Sequence, residues 1–284
     1  MPRVRHQLGV LSSGGNITFA QREFTRPTNV LFDVDGTLTD ASSRVLPENI
    51  RALQQLHAAG IPITLATGRI IAGAADILAE AGVPGWVVAE GGSIVWDGHT
   101  VVRRHPLGAA AYARAVRFAE EHRLGMVVNG EEGVVVQSFG APLFEDVICN
   151  ASAGREPLRG DVAALAADTI TKLSFSGTET QLDRLQELWQ AAFPGAVRGH
   201  AHFVDVVAPG VTKWEGIELA LGARGLEAEH TLGVGDSAND IPWMREIALS
   251  YAMPQASAET QAAARWILPA GPAPVADLVA AVLR

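Results

Sequence analysis

A single cysteine, Cys149, two tyrosines and an aromatic share of only 6% leave this 284-residue chain poor in the groups that staple small secreted proteins. One thiol closes no internal disulfide and cannot supply a thiolate cage for zinc. Basic residues are also scarce: 22 Lys and Arg against 31 Asp and Glu give a formal charge of −9. That balance argues against a nucleic-acid-binding or polybasic membrane-surface role. No apolar run approaches the roughly 18 residues that cross a bilayer. Near the N-terminus, the short apolar patch after Arg3 and Arg5 is broken by Ser12, Ser13, Gly14 and Gly15. It falls short of the about 7–15 residues of a secretory h-region. A cytoplasmic protein with no membrane partner is therefore expected, and residues 1–28 read as a weakly ordered N-terminal extension. What the chain does have is 48% hydrophobic residues, ordinary for a globular protein, and length for about two domains.

The apolar run Asn29-Val30-Leu31-Phe32 leading into Asp33 suits a strand buried on both faces of a parallel sheet. Pro47 and Glu48 open a helix over 47–59, with Ile50, Leu53 and Leu56 at helical spacing and Gly60 closing it. A strand over 61–66, a helix over 70–81 stopped by Gly82, and a strand over 86–89 follow. This alternation predicts an α/β fold, a Rossmann-like doubly wound parallel sheet. The rhythm then changes. Asp97-Gly98 marks a hairpin between 93–96 and 100–103, followed by helices near 108–123 and 178–192 and strand candidates at 126–129, 134–137 and 169–175. Mixed helices and antiparallel pairs predict an α+β module inserted over 91–203. The core then comprises 29–90 and 204–284, with a helix over 213–222 and strands near 231–235 and 247–252. Leu182, Leu185, Leu188 and Trp189 form a core stripe on the second cap helix.

Polar punctuation falls where these strands end: Asp33-Val34-Asp35-Gly36-Thr37, Thr67-Gly68-Arg69, and Gly235-Asp236-Ser237-Ala238-Asn239-Asp240, with Lys213 at a helix start. Open α/β sheets bind ligands outside the carboxyl ends of their strands, so four distant stretches converge on one crevice. Asp33, Asp35, Asp236 and Asp240 are hard oxygen donors suited to Mg²⁺. Crowded acids repel one another unless a dication and an ammonium neutralise them, and Lys213 is the natural ammonium. The same two cations would hold a phosphate dianion inside an acidic protein. Asp33 then suits the nucleophile and Asp35, two residues on, the acid and base for leaving alkoxide and water. Thr67 and Gly68 offer a hydroxyl and backbone donors to phosphate oxygens.

FDVDGT, LATGR, Lys213 within GVTKWEG, and GDSAND, in this order, resemble the four motifs of the haloacid dehalogenase superfamily over about residues 29–270. The inserted module stands where that superfamily carries a C2B-type cap. Spacing and cap placement resemble the Cof-type phosphatases, sucrose-phosphatase-like enzymes and archaeal phosphoglycolate phosphatases. The resemblance implies a Mg²⁺-dependent phosphomonoesterase acting on a small phosphorylated metabolite, a phosphosugar or a short phospho-acid, through an aspartyl-phosphate on Asp33. It implies phosphate binding by Thr67, Gly68, Lys213 and Asn239, and a metal set of Asp33, Asp35 through its carbonyl, Asp236 and Asp240, with Asn239 and Asp240 also fixing the loop, Lys213 or metal-bound water. Glu90 and Arg69 are candidate specificity residues. There are departures: Ala89-Glu90-Gly91-Gly92-Ser93 lacks an Asn common in relatives, and Trp243 and Pro254 replace smaller residues. FDVDGTLTD also resembles the phosphomannomutases, whose fourth motif differs from GDSAND. A phosphotransferase and a non-catalytic phospho-accepting module remain as alternatives. His105, His122, His200 and His202 lack ligand spacing and read as solvated or hydrogen-bonded, and Cys149 as a small half-buried hydrophobe. The loop 138–160, with Arg155 and Arg159, is placed either over the site or as plain exposed chain.

Overall fold

Strands that are apolar without interruption are covered on both faces, and those that alternate are not. A computed structural model describes residues 27–284 apart from 131, 132 and 153, so the expected extension lies almost wholly outside the described residues. The chain begins β1 (Asn29–Asp33), α1 (Pro47–Ala58), β2 (Ile63–Ala66), α2 (Ile71–Ala81), β3 (Trp86–Ala89), β4 (Ile94–Trp96) and β5 (Val101–Arg104). It continues α3 (Ala109–Glu121), β6 (Gly125–Gly130), β7 (Gly133–Ser138), α4 (Glu145–Ala151), β8 (Leu158–Arg159), β9 (Lys172–Ser176), α5 (Glu179–Arg184), α6 (Gln186–Ala192), β10 (Val197–His200) and β11 (Phe203–Val207). It ends α7 (Lys213–Gly222), β12 (Thr231–Gly235), α8 (Ile241–Glu246), β13 (Leu249–Ala252), α9 (Ala258–Ala263), β14 (Trp266–Ile267) and α10 (Pro274–Val282). None of the helices among the described residues is long and apolar enough to cross a membrane.

Eight strands form the first sheet in the order β14-β13-β12-β1-β2-β3-β4-β5, and the six from β14 to β3 run parallel. On β1, Val30 and Phe32 point toward Leu53 and Leu56 of α1, Ile77 of α2 and Leu278 of α10. Leu31, between them, points to the other layer with Ile217 and Leu221 of α7 and Trp243 of α8. Period-two alternation thus feeds two cores from one strand. Strand order reverses between β1 and β12, and the crevice outside their carboxyl ends is the switch point of the doubly wound sheet.

The second sheet has six strands, β10-β11-β9-β6-β7-β8. One face, with Met126, Val128, Leu173, Phe175, Val204 and Val206, packs on α3, α5 and α6. The other face overhangs the crevice. Sheet membership moves both expected domain borders. β4 pairs antiparallel with β3, so the hairpin extends the first sheet and the chain leaves it after Arg104 rather than at 91. β11, expected in the returning core from 204, pairs with β9 over five residues. Either segment reads as a strand from its own residues; the partner is a long-range choice that local periodicity does not encode.

Two further expectations change. The helix over 178–192 breaks at Leu185 (φ −95°, ψ 3°) into α5 and α6. Leu182 and Trp189 stay buried, but Leu188 is 51% exposed and is no core residue. The stretch 138–160 contains α4, against which Gly73 of α2 leaves room: a Cβ there would lie 2.8 Å from the Ala151 carbonyl.

Candidate active site

Lys213 is the first residue of α7, where the helix dipole disfavours a cation. Its place is fixed by Thr212, whose side chain and that of Glu215 close a capping box. The lysine is only 2% exposed. Its Nζ donates to Asp33 Oδ1 at 2.6 Å and to Asp240 Oδ1 at 2.8 Å. Burial alone would lower its pKa, but the charges of Asp240 and Asp33 outweigh that and raise it, so the ammonium stays charged. Removing it would leave two buried carboxylates unpaired, a loss of about 3–5 kcal/mol.

Asp240 is fully buried. Its Oδ1 accepts from Lys213 and from Trp243 Nε1 (3.0 Å); its Oδ2 accepts from the backbone N–H of Asp236 and of Ser237, each at 3.1 Å. These bonds tie the Asp240 carboxylate to the loop and to Lys213, and it remains one of the three acids whose oxygens cluster closely enough to hold a metal ion. Trp243, a departure from the family pattern, fits because β12 carries glycines beneath it. A Cβ at Gly233 or Gly235 would come within 2.6 or 2.8 Å of the indole.

Asp236 lies across the crevice from Asp33, and its Oδ1 accepts from Thr37 Oγ1 at 3.4 Å. Gly36 (φ +78°) makes this approach possible, since a Cβ there would sit 2.3 Å from Asp236 Oδ2. Oxygens of Asp33, Asp236 and Asp240 all lie within 4.8 Å of one another. Burial first, then the charge of Asp240, raises the Asp33 carboxyl well above its usual range and pushes Asp236 up to about 6. Three carboxylates with one ammonium are short of positive charge. The hard oxygens of this acidic cluster fit a dication such as Mg²⁺, and Asp33 and Asp236 carry fewer hydrogen bonds than Asp240.

Asp35 points elsewhere. Its carboxylate lies in the fork of Arg69, with Nε to Oδ2 at 2.9 Å and Nη2 to Oδ1 at 2.5 Å, and Arg69 Nη2 also donates to the Ser43 carbonyl. Arg69 is thus the partner of Asp35, and the Asp35 side chain is not directed at the acidic cluster. Thr67 is fully buried, and its hydroxyl accepts from the Arg69 N–H at 3.1 Å, which is the local capping role. Gly68 and Asn239 line the crevice, and Asn239 Oδ1 accepts from Ser237 Oγ at 2.7 Å. Glu90 does not line it. This carboxyl is buried where the two sheets meet, accepts from Thr171 Oγ1, and is raised by burial against the opposing effect of that bond.

The second sheet supplies what sequence reasoning missed. Lys172, Ser174 and Asp205 face the crevice from β9 and β11. Lys172 Nζ donates to Asp205 Oδ2 at 2.8 Å and to the Gly68 carbonyl at 2.9 Å, fastening the overhang to the loop after β2. Their signal was present: a lysine opening an apolar strand, and an acid inside Phe203-Val204-Asp205-Val206-Val207. Among the four dismissed histidines, His200 lines the crevice; burial, then the neighbouring His202, lowers its pKa. Arg155 and Arg159 pair with Asp76 and Glu145 on the surface.

A doubly wound sheet whose carboxyl-end crevice holds clustered acids and a buried lysine beneath an α+β overhang defines a capped hydrolase. The description of haloacid dehalogenase-like hydrolases matches residues 30–271, and the chain belongs to that family. A phosphoglycolate phosphatase of Methanothermobacter thermautotrophicus is 26% identical over 238 residues, covering 84% of this chain and 90% of that one. The chloroplastic endoribonuclease YBEY of Arabidopsis thaliana is 24% identical over 251 residues; these cover 83% of this chain but only 43% of the plant protein. In fold, a sugar phosphatase of haloacid dehalogenase subclass IIB superposes with a TM-score of 0.75 at 23% identity, over 89% of this chain and 97% of that one.

Proposed function

We propose that this hydrolase is a phosphomonoesterase that works with Mg²⁺ on a small phosphorylated metabolite through an aspartyl-phosphate on Asp33. The observation that carries this reading is the Lys213 ammonium held between Asp33 and Asp240, with Asp236 beside them, at the switch point of the sheet. The names of relatives, a phosphoglycolate phosphatase among them, support it.

Lys213 occupies Oδ1 of Asp33 and orients the other oxygen toward phosphorus. Thr67, Gly68, Lys213 and Asn239 hold the phosphoryl oxygens, and the buried ammonium offsets the charge that builds on them. Asp35 leaves the Arg69 fork, takes up a proton from solvent and passes it to the departing alkoxide; the carboxylate so regenerated then takes one from the water that opens the acyl phosphate. Asp33, Asp236 and the Asp35 main-chain carbonyl would hold Mg²⁺, which when bound supplies positive charge to the transferring group.

The test is Asp33→Asn. Release of phosphate from an aryl phosphate should fall on the order of a thousandfold or more while the far-ultraviolet spectrum is retained. Persistent turnover in that variant would overturn the nucleophile, and turnover after exhaustive EDTA treatment would overturn the metal.

A further inference from the structure

The loop after β2 is fixed mostly from the first sheet. The Thr67 N–H donates to the Val88 carbonyl at 2.8 Å, the Thr67 carbonyl accepts from the Gly91 N–H at 3.0 Å, and the Arg69 carbonyl accepts from the Glu90 N–H at 2.9 Å. The Gly68 carbonyl is held from the second sheet instead. It accepts at 2.9 Å from Nζ of Lys172, the first residue of β9. Lys172 is only 7% exposed. Asp205 keeps it in place: its Oδ2 takes a second ammonium proton at 2.8 Å, while its Oδ1 accepts from Ser174 Oγ at 2.6 Å. The approach is close, since a Cβ on Gly68 would stand 3.3 Å from the ammonium nitrogen. One residue earlier, Thr171 donates to the carboxyl of Glu90, whose N–H holds Arg69. Two consecutive residues entering the second sheet thus grip the same loop.

What the grip of Lys172 controls follows from the planarity of the peptide. Carbonyl and N–H of one trans peptide unit lie in one plane and point opposite ways, so fixing the Gly68 carbonyl fixes the Arg69 N–H. That N–H donates to Thr67 Oγ1 at 3.1 Å. The fully buried Thr67 hydroxyl is engaged as an acceptor, and its own proton meets no acceptor among the described residues. Hydrogen bonds in a row polarise one another, and this row starts at a positive charge. The path from ammonium through peptide to hydroxyl ends in a strengthened donor. A donor aimed in advance needs no reorganisation when charge builds on a phosphoryl oxygen. A lysine that served to read the organic part of a substrate would keep its nitrogen for that substrate, whereas two acceptors of the protein already take this one.

We propose that Lys172 is a positioning residue of the phosphoryl transfer: through the Gly68–Arg69 peptide it aims and strengthens the Thr67 hydroxyl, so that full stabilisation of the transferring group requires the second sheet to be docked. This rests on the phosphomonoesterase reading and adds to it a part for the overhang that does not depend on the leaving group. Lys172→Met should lower kcat/KM about ten- to a hundredfold, the loss expected of a charge-assisted hydrogen bond. The factor should be the same for methyl phosphate, phosphoglycolate and 4-nitrophenyl phosphate. Lys172→Met/Asp205→Asn, which strands no charge, should lose as much. Orthovanadate carries no organic group, and in calorimetry with Mg²⁺ it should bind this double variant more weakly by a similar factor. That affinity does not depend on the fraction of protein that folds. In a Thr67→Val background, Lys172→Met should cost no more than about a further twofold. A loss that grows with the size of the leaving group would make Lys172 a reader of substrate and overturn the proposal. Losses that simply multiply with those of Thr67→Val, or an unchanged vanadate affinity, would overturn it as well. Ester hydrolysis undiminished by Lys172→Met would overturn the relay alone, whereas an unmodified protein that neither hydrolysed an ester nor bound vanadate would overturn the phosphatase reading together with it.

Discussion

Asp236 shows how one residue links the acidic crevice to solution conditions. Its carboxyl, ordinarily near 3.8, is pushed up to about 6 by burial and by Asp240. Between those values the folded protein keeps a proton that the unfolded chain has released. Stability from this group is therefore full below 3.8 and is lost as pH rises through about 6. A dication must displace the same proton, so its binding strengthens over the same window. Scanning calorimetry should show Mg²⁺ raising Tm more at about pH 7.5 than at about pH 5. A Mg²⁺ shift independent of pH would rule out Asp236 as a metal ligand. The residues of this cluster were legible because short, distinctive strings carry them. Diversion of Asp35 to Arg69 was not, because a string gives residue types and not side-chain partners.

Among elements, the docking of α8 on β12 depends on two glycines. Gly233→Ala would place a methyl 2.6 Å from Trp243 Cζ3, and overpacking of this kind costs about 1–3 kcal/mol. The smaller ring of Trp243→Phe does not reach as far, so the alanine should cost less in that background. Denaturant titration of the single and double variants should give a coupling of about 0.5–3 kcal/mol. Strict additivity would place the strain elsewhere. The same element pair marks what the sequence discloses about the fold. β1, β2, β3 and β12 were readable because burial on both faces leaves an unbroken apolar run. α4 was not: seven residues opening Glu-Asp and containing Cys149 and Asn150 show too little periodicity to separate from loop. The signal of the cap face, a lysine and an acid set in apolar strands, was ambiguous for a related reason, since Lys172, Ser174 and Asp205 alternate with core residues as an ordinary solvent face would.

At the scale of the whole molecule, a chain of formal charge −9 receives the phosphate dianion proposed for it. The attraction of Lys213 and a bound dication is local, whereas the repulsion acts over distance. Raising salt from about 10 to 150 mM shortens the screening length from roughly 30 to 8 Å. It should therefore increase kcat/KM for an anionic ester, the reverse of the salt response of a protein that steers its substrate in. A decrease would mean that positive potential dominates the approach.

The second sheet carries its folding core and its cavity wall on alternate residues of the same strands: Val128 and Leu173 behind, Val127 and Ser174 in front. A point mutation in front leaves the packing behind untouched. Over generations such a scaffold is free to change its diet one side chain at a time while inheriting the same architecture, so that kin with the same overhang need share no common nutrient.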